Sequence, residues 1–196
     1  MNVDKICEVI NTGGLVISKS DTIYGILADS LNDDAVRKVF TVKKRDYNKP
    51  LILLMDSIDM VKKYTSDISE VERQVMDKFW PGLITIVLKK NDNVSNLITS
   101  NGDTVAIRIP DDEDLLEIIR KLNRPVVSTS ANITGTEVIT NINMLEKDLV
   151  DLIDYIEDDG EIINKSSTIV KIDNGCLRVL REGVLSNKIR KYFEEK

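Results

Sequence analysis

Histidine is absent from this 196-residue chain. That excludes Ser-His-Asp and Cys-His triads, an imidazole general base and every zinc site with a histidine ligand. Cysteine is scarce. Cys7 and Cys176 stand far apart and form no C-x-x-C pair, which removes a cysteine-only zinc site and a disulfide framework. Long apolar runs are missing. The longest, LILLM at 51–55, is far too short to span a membrane. The opening MNVDKICEVINTGG lacks the apolar stretch of a signal peptide. A soluble cytoplasmic protein is expected. Glycine-rich phosphate loops are missing as well. GGLVISKS (13–20) comes near G-x-x-x-x-G-K-[ST], but Ser18 takes the second glycine's place and LVI reads as a strand. No G-x-G-x-x-G occurs, so a nucleotide here must be held by side chains.

What is present suffices for a core. Hydrophobic residues make up 42% of the chain, and the length fits one domain over 1–196. The net charge of -6 argues against a protein that coats nucleic acid, while allowing one local basic groove. Ile6, Val9 and Ile10 recur at helical spacing before Gly13-Gly14. Asn32 is a candidate N-cap for a helix through Phe40. Helices are also expected over 69–80, 113–122 and near 142–149, with an amphipathic helix closing the chain at 186–196. Strands are expected at 15–18, 23–28, 51–55, 83–90, 104–110, 125–131, 150–156, 167–172 and 177–181. Several strands follow one another without a helix between them. The expected fold is therefore α/β, a twisted mixed β-sheet with flanking helices.

The stretch FTVKKRDYNKPLILL (40–54) raises the question of chemistry. Lys43, Lys44, Arg45 and Lys49 lie within seven residues. Two accounts are open. Lys43, Lys44 and Arg45 could occupy the last turn of the helix from Asp33 and complement its dipole. Lys49 lies beyond that helix, and so dense a cluster is relieved by a bound polyphosphate. The turns SDTIYG (20–25) and STSANITG (128–135) each follow a buried strand, where an α/β sheet places ligands, yet these residues also simply make turns. Arg108 interrupts the strand TVAIRIP, and Arg181 sits in VLREG. Each either points to solvent or faces a site, where it could take a carboxylate bidentately. Asp158-Asp159-Gly160 reads as a turn, and Trp80 as a core anchor at a helix end.

Seven stretches together resemble the YrdC/Sua5 family of L-threonylcarbamoyl-AMP synthases. They are SDTIYG (20–25), VKKRDYNKPL (42–51), WPGLITIVLKK (80–90), TVAIRIP (104–110), STSANITG (128–135), STIVKI (167–172) and RVLREG (178–183). They stand in family order and span nearly the whole chain. The resemblance implies a YrdC/RibB-like sheet with a large concave basic cavity. It implies that L-threonine, bicarbonate or CO2, and ATP give threonylcarbamoyl-AMP and pyrophosphate for t6A modification of tRNA adenosine 37. ATP is then a substrate that carries Mg2+, no metal is held by the protein itself, and the product passes to a separate transferase complex. The family's K-x-R and S-x-N signature falls on Lys43, Arg45, Ser130 and Asn132 as the catalytic set. Matching implies that Lys49, Thr104, Thr140 and Arg181 join Arg45, Ser130 and Asn132 around ATP. Thr22, Arg108 and Ser167 would hold threonine. Arg45, Lys43 and Lys49 are expected to clamp the phosphates. The sequence departs from the family at Lys19-Ser20, where Pro-Thr is usual, at Lys44, where a small residue is common, and at Leu54, where many members carry histidine. The alternative is a module that binds double-stranded RNA or tRNA without chemistry.

Overall fold

The computed structural model describes residues 1–162 and 166–195. Helix α1 (Val3–Asn11) leads into β1 (Val16–Ser18) and β2 (Gly25–Asp29). Next come α2 (Asp33–Val42), β3 (Ile52–Leu54), α3 (Ile58–Tyr64) and α4 (Glu70–Phe79). They are followed by β4 (Ile84–Lys89), α5 (Asn96–Thr99), β5 (Thr104–Arg108) and α6 (Glu113–Leu122). The chain continues through β6 (Val126–Ser130), α7 (Lys147–Val150), β7 (Tyr155–Ile156), β8 (Thr168–Asp173), β9 (Cys176–Arg181) and α8 (Ser186–Glu194). These strands form one sheet in the order β7-β1-β2-β6-β3-β5-β4-β8-β9. Three pairings are parallel (β1 with β7, β3 with β5, β4 with β8) and the others are antiparallel. The sheet is mixed, as the run of strands without intervening helices implies. Among the described residues no helix is long and apolar enough to cross a membrane.

The helices begin where side chains satisfy the exposed N–H groups of a first turn. Asn32 Oδ1 accepts from the N–H groups of Asp34 and Ala35. Ser69 and Glu72 cap α4 reciprocally. Asp112 caps α6 through the Leu115 N–H, and Glu113 and Asp114 complement the dipole. Trp80 ends α4 in the core, its indole N–H donating to Ile84 O at 2.7 Å. In the middle of the sheet alternate residues divide cleanly. Ile26, Val127, Leu53 and Ile107 point one way and are fully buried. Their neighbours Gly25, Ser128, Ile52 and Ala106 line a cavity on the other face.

Three expectations are corrected. The strand expected over 150–156 is only Tyr155–Ile156, because α7 runs to Val150, the chain turns at 151–152 and Asp154 accepts the Leu15 N–H at 2.7 Å. The helix near 142–149 divides into a 3-10 turn, Ile142–Met144, and α7. The closing helix spans Ser186–Glu194, and Lys196 lies outside the described residues.

The helix before the cationic cluster stops short of it, which rules out the account that put Lys43, Lys44 and Arg45 in its last turn. It ends at Val42, Lys43 caps it, and Lys44 takes a left-handed conformation at φ +47°. The Lys44 N–H donates to Thr41 O at 3.0 Å and the Arg45 N–H to Phe40 O at 2.9 Å. This is a Schellman ending. It removes Lys43, Lys44 and Arg45 from the last helical turn and sends their side chains apart. A position of this kind favours glycine, which gives a physical reason for a small residue there. Replacing Lys44 by Gly removes the steric cost of a Cβ in the left-handed region. It loses only an exposed ion pair with Asp148. We expect Lys44→Gly to raise unfolding stability by about 0.5–1 kcal/mol in urea titrations; equal or lower stability would refute this account.

Candidate functional site

The cavity, about 490 Å3 in volume, sits over the centre of the sheet, within the size range of small-ligand sites. Its floor is one cross-strand row: Ser128 on β6, Ile52 on β3, Ala106 on β5 and Val87 on β4. Beside this row Leu54 and Arg108 are direct partners across the parallel β3–β5 pair. A second, adjoining cleft shares Ile23, Val138 and Ser166 with the cavity and carries Thr140. Gly183 also lines this cleft. A Cβ there would meet the backbone of Ser166, Ser167 and Thr168 at 2.5 Å, so only glycine lets the exit of β9 pack this closely.

Three guanidiniums line the cavity: Arg45, Arg108 and Arg181. Among the described residues no carboxylate shares that lining. Arg108 is buried, and its Nη1 donates to both carboxylate oxygens of Asp21 at 2.7 Å. Arg45 reaches over the 46–50 turn, with Nε donating to Lys49 O at 3.1 Å and Nη2 to Pro50 O at 2.8 Å. Arg181 donates from Nη2 to both the carbonyl and the hydroxyl oxygen of Ser167, each at 2.9 Å. Desolvation lowers the Arg45 pKa. Desolvation, then the charges of Arg108 and Arg45, lowers that of Arg181. Arg181 therefore feels the other two cations across the cavity, a condition that an anion relieves.

Hydroxyls complete the walls. Thr22 is buried, and its N–H donates to Ser20 Oγ at 3.1 Å. Ser167 Oγ lies 2.8 Å from the buried Thr85 hydroxyl. The Ser130 hydroxyl donates to Asn132 Oδ1 at 2.5 Å, and Asn132 Nδ2 donates to Thr136 O at 2.7 Å.

Lys43 lies behind this wall, 1% exposed. Its Nζ donates to Ser130 O at 2.5 Å and to Asn132 O at 2.6 Å. In return the Thr134 N–H donates to Lys43 O at 2.9 Å. The K-x-R turn and the S-x-N turn are thus tied through one ammonium. Among the described residues no carboxylate pairs with it. Burial, then the Arg45 charge, pulls its pKa from the ordinary lysine value down to about 7.

Of the residues singled out from the sequence, Thr22, Arg45, Arg108, Ser130, Ser167 and Arg181 meet in the cavity. Lys43 does not, because its ammonium is turned into the carbonyls behind Ser130. Asn132 also lies behind the wall, in a small adjoining pocket. Lys49 is exposed on the turn that Arg45 grips. Thr104 stands on the face of β5 shared with Ala106 and Arg108, beyond the cavity lining. Thr140 lines the adjoining cleft. Sequence reasoning missed Asp21, Ser20 and Thr85 as individuals. Asp21 and Ser20 lay inside a quoted stretch, but only the fold brings Arg108 to Asp21.

A family model for Sua5, YciO and YrdC proteins, described as telomere recombination, matches residues 8–183. The chain belongs to this family. A Methanocaldococcus jannaschii member, provisionally named threonylcarbamoyl-AMP synthase, is 39% identical over 180 residues, 91% of this chain and 83% of that one. The threonylcarbamoyl-AMP synthase of Pyrococcus abyssi is 34% identical over 177 residues, 90% of this chain. The present chain spans only 52% of that P. abyssi protein. The crystal structure of P. abyssi Sua5 complexed with L-threonine superposes with a TM-score of 0.91 at 32% identity, covering 97% of this chain and 56% of that one. All seven of the stretches named above lie within the matched residues.

The buried ammonium has a measurable signature. Below about pH 7 Lys43 is charged in both folded and unfolded chains, so the full cost of burying the charge is present. Between about 7 and the ordinary lysine value, the unfolded chain binds the extra proton, and stability rises with pH. Relative to Lys43→Met, the wild type should gain about 1–3 kcal/mol between pH 6.5 and 9 in urea denaturation. Parallel pH profiles would show that Lys43 stays charged throughout.

Proposed function

We propose that the chain is an L-threonylcarbamoyladenylate synthase, an ATP-dependent nucleotidyltransferase. It would join L-threonine, CO2 from bicarbonate, and ATP, releasing pyrophosphate. The observation that carries this reading is the convergence of three guanidiniums on one cavity in a chain of net charge -6. Family membership supports it, as does the likeness to the threonine complex of P. abyssi Sua5.

The chemistry needs no histidine. The threonine amine, once deprotonated, attacks CO2; an N–C bond forms as one C=O π bond opens onto oxygen, the nitrogen releases a proton to solvent, and the carbamate keeps both oxygens of CO2. One carbamate oxygen attacks the α-phosphorus of ATP. The bond from that phosphorus to the bridging oxygen breaks, and pyrophosphate leaves with the electron pair. Catalysis then consists of alignment and of neutralising charge that moves onto pyrophosphate. We assign Arg45 and Arg181 to the phosphates, with Lys49 at the rim. Arg108 takes the threonine carboxylate, and Thr22 and Ser167 supply hydroxyls beside it. Ser130, oriented by Asn132, addresses phosphate or ribose. Thr104 and Thr140 flank the remainder of the nucleotide. Mg2+ would enter with ATP and supply further neutralisation of phosphate charge beside Arg45 and Arg181. Lys43 becomes a positioning residue instead of a phosphate clamp, because its hydrogen bonds hold the Ser130–Asn132 turn. The product serves t6A formation on tRNA through a separate transferase. A reducing cytoplasm suits a chain whose two cysteines are free.

The test is incubation with ATP, Mg2+ and bicarbonate, with and without L-threonine, following pyrophosphate and adenylate product. Release that depends on threonine supports the assignment. ATP binding without such release, together with salt-sensitive RNA binding, would favour the RNA-binding module instead. Arg45→Ala should lower kcat/KM for ATP by about 10²-fold while leaving threonine affinity nearly unchanged. Unaltered ATP kinetics would remove Arg45 from the phosphate site.

A further inference from the structure

The cavity is electrically divided. Arg45 and Arg181 donate to carbonyl and hydroxyl oxygens, and among the described residues neither is ion-paired with a carboxylate. Neutral dipoles orient these cations without cancelling their charge. Arg108 differs. Both oxygens of Asp21 stand 2.7 Å from its Nη1, and the two side chains are 4% and 8% exposed. Asp21 is itself fixed by the Asp111 N–H, which donates to Oδ2 at 3.0 Å. At such burial an ion pair is strongly coupled and little screened by salt.

We propose that Asp21 sets the specificity of the Arg108 end of the cavity. It holds the guanidinium in one orientation and compensates its charge, so that this end accepts a zwitterionic amino acid and rejects phosphate. This rests on the synthase reading, in which one cavity must take an amino acid and a triphosphate together. A triphosphate or the pyrophosphate product carries several negative charges and is drawn to uncompensated cations. At Arg108 it would gain guanidinium hydrogen bonds but meet the Asp21 carboxylate. A zwitterion brings no net charge and can still place its carboxylate on the guanidinium. Asp21 thereby keeps polyphosphate from blocking the amino acid position. It acts through Arg108 and is a positioning residue.

Asp21→Asn tests this with little change of shape. The amide oxygen still accepts from Asp111 and Arg108, but the charge is gone. Adenylate formation is followed with threonine, ATP and added inorganic pyrophosphate varied in turn. KM for threonine should rise about tenfold or more, while KM for ATP stays near the wild-type value. Pyrophosphate should become a markedly better competitor against threonine. A merely structural role would raise both KM values and leave the pattern of pyrophosphate inhibition unchanged, which would overturn the proposal. Should the Asn variant fold poorly by thermal melting, Asp21→Glu supplies the second comparison. It keeps the charge, so pyrophosphate must remain a weak competitor even where threonine KM rises; stronger competition there also overturns the proposal. Wild-type protein that forms no adenylate with threonine sinks the synthase reading itself. An active wild type with an unaltered Asn variant sinks only the role of Asp21.

Discussion

One buried ammonium holds the two halves of the site together. Lys43 Nζ bridges the carbonyl oxygens of Ser130 and Asn132, while its own carbonyl accepts the Thr134 N–H. A charge removed from water is costly unless dipoles replace its hydration. Here the Ser130 and Asn132 carbonyls supply them, and this brings the end of α2 against the exit of β6. Arg45, two residues along the Schellman turn, is then carried over the cavity mouth, and the Ser130 hydroxyl is fixed in its wall. The site is shaped by the protein's own desolvation problem before any ligand enters, which is the kind of preorganisation that positional and electrostatic catalysis needs.

Much of this frame was legible in the sequence. Helices α2, α4 and α6 were all expected from the sequence, α2 with Asn32 as its N-cap, while Ser69 and Asp112 prove to cap the other two. The central strands announce themselves as short β-branched runs. The failures have identifiable causes. Helices α3 and α5 span seven and four residues, too short to express a helical period. The stop of α2 was hidden because its left-handed position carries lysine rather than the glycine that usually marks it. A helix continued through Arg45 would have aimed Lys43, Lys44 and Arg45 around a single turn. The actual ending sends Lys43 into the protein, Lys44 toward Asp148 and Arg45 to the cavity.

Arg108 illustrates a different limit. Strand alternation alone left it facing either solvent or a site. The choice is made by its pairing with Leu54 on β3 and by Asp21, 87 residues away in sequence. No local pattern encodes that partner. The polar residues of β6 were more informative than they first seem. A strand in the middle of a sheet that carries Ser128 and Ser130 on one face is presenting hydroxyls to a cavity beside the apolar Ile52, Ala106 and Val87. Gly25 across from Ser130 keeps that floor low, since a Cβ there would stand 3.3 Å from Ser128 Oγ.

The charge distribution separates local recognition from long-range attraction. A net charge of -6 gives the surface no general affinity for polyanions. Fields between exposed charges fade over about 8–10 Å at physiological salt. Arginines grouped in a concave site are screened less, because low-dielectric walls focus their field into the cavity. On the proposed reading, a nucleotide is held inside the cavity rather than on the acidic outer surface. The same arrangement explains why three guanidiniums tolerate one another there. Two are steadied by oxygen dipoles and one by a buried carboxylate, so their repulsion is contained by the fold and available to favour the anion that relieves it.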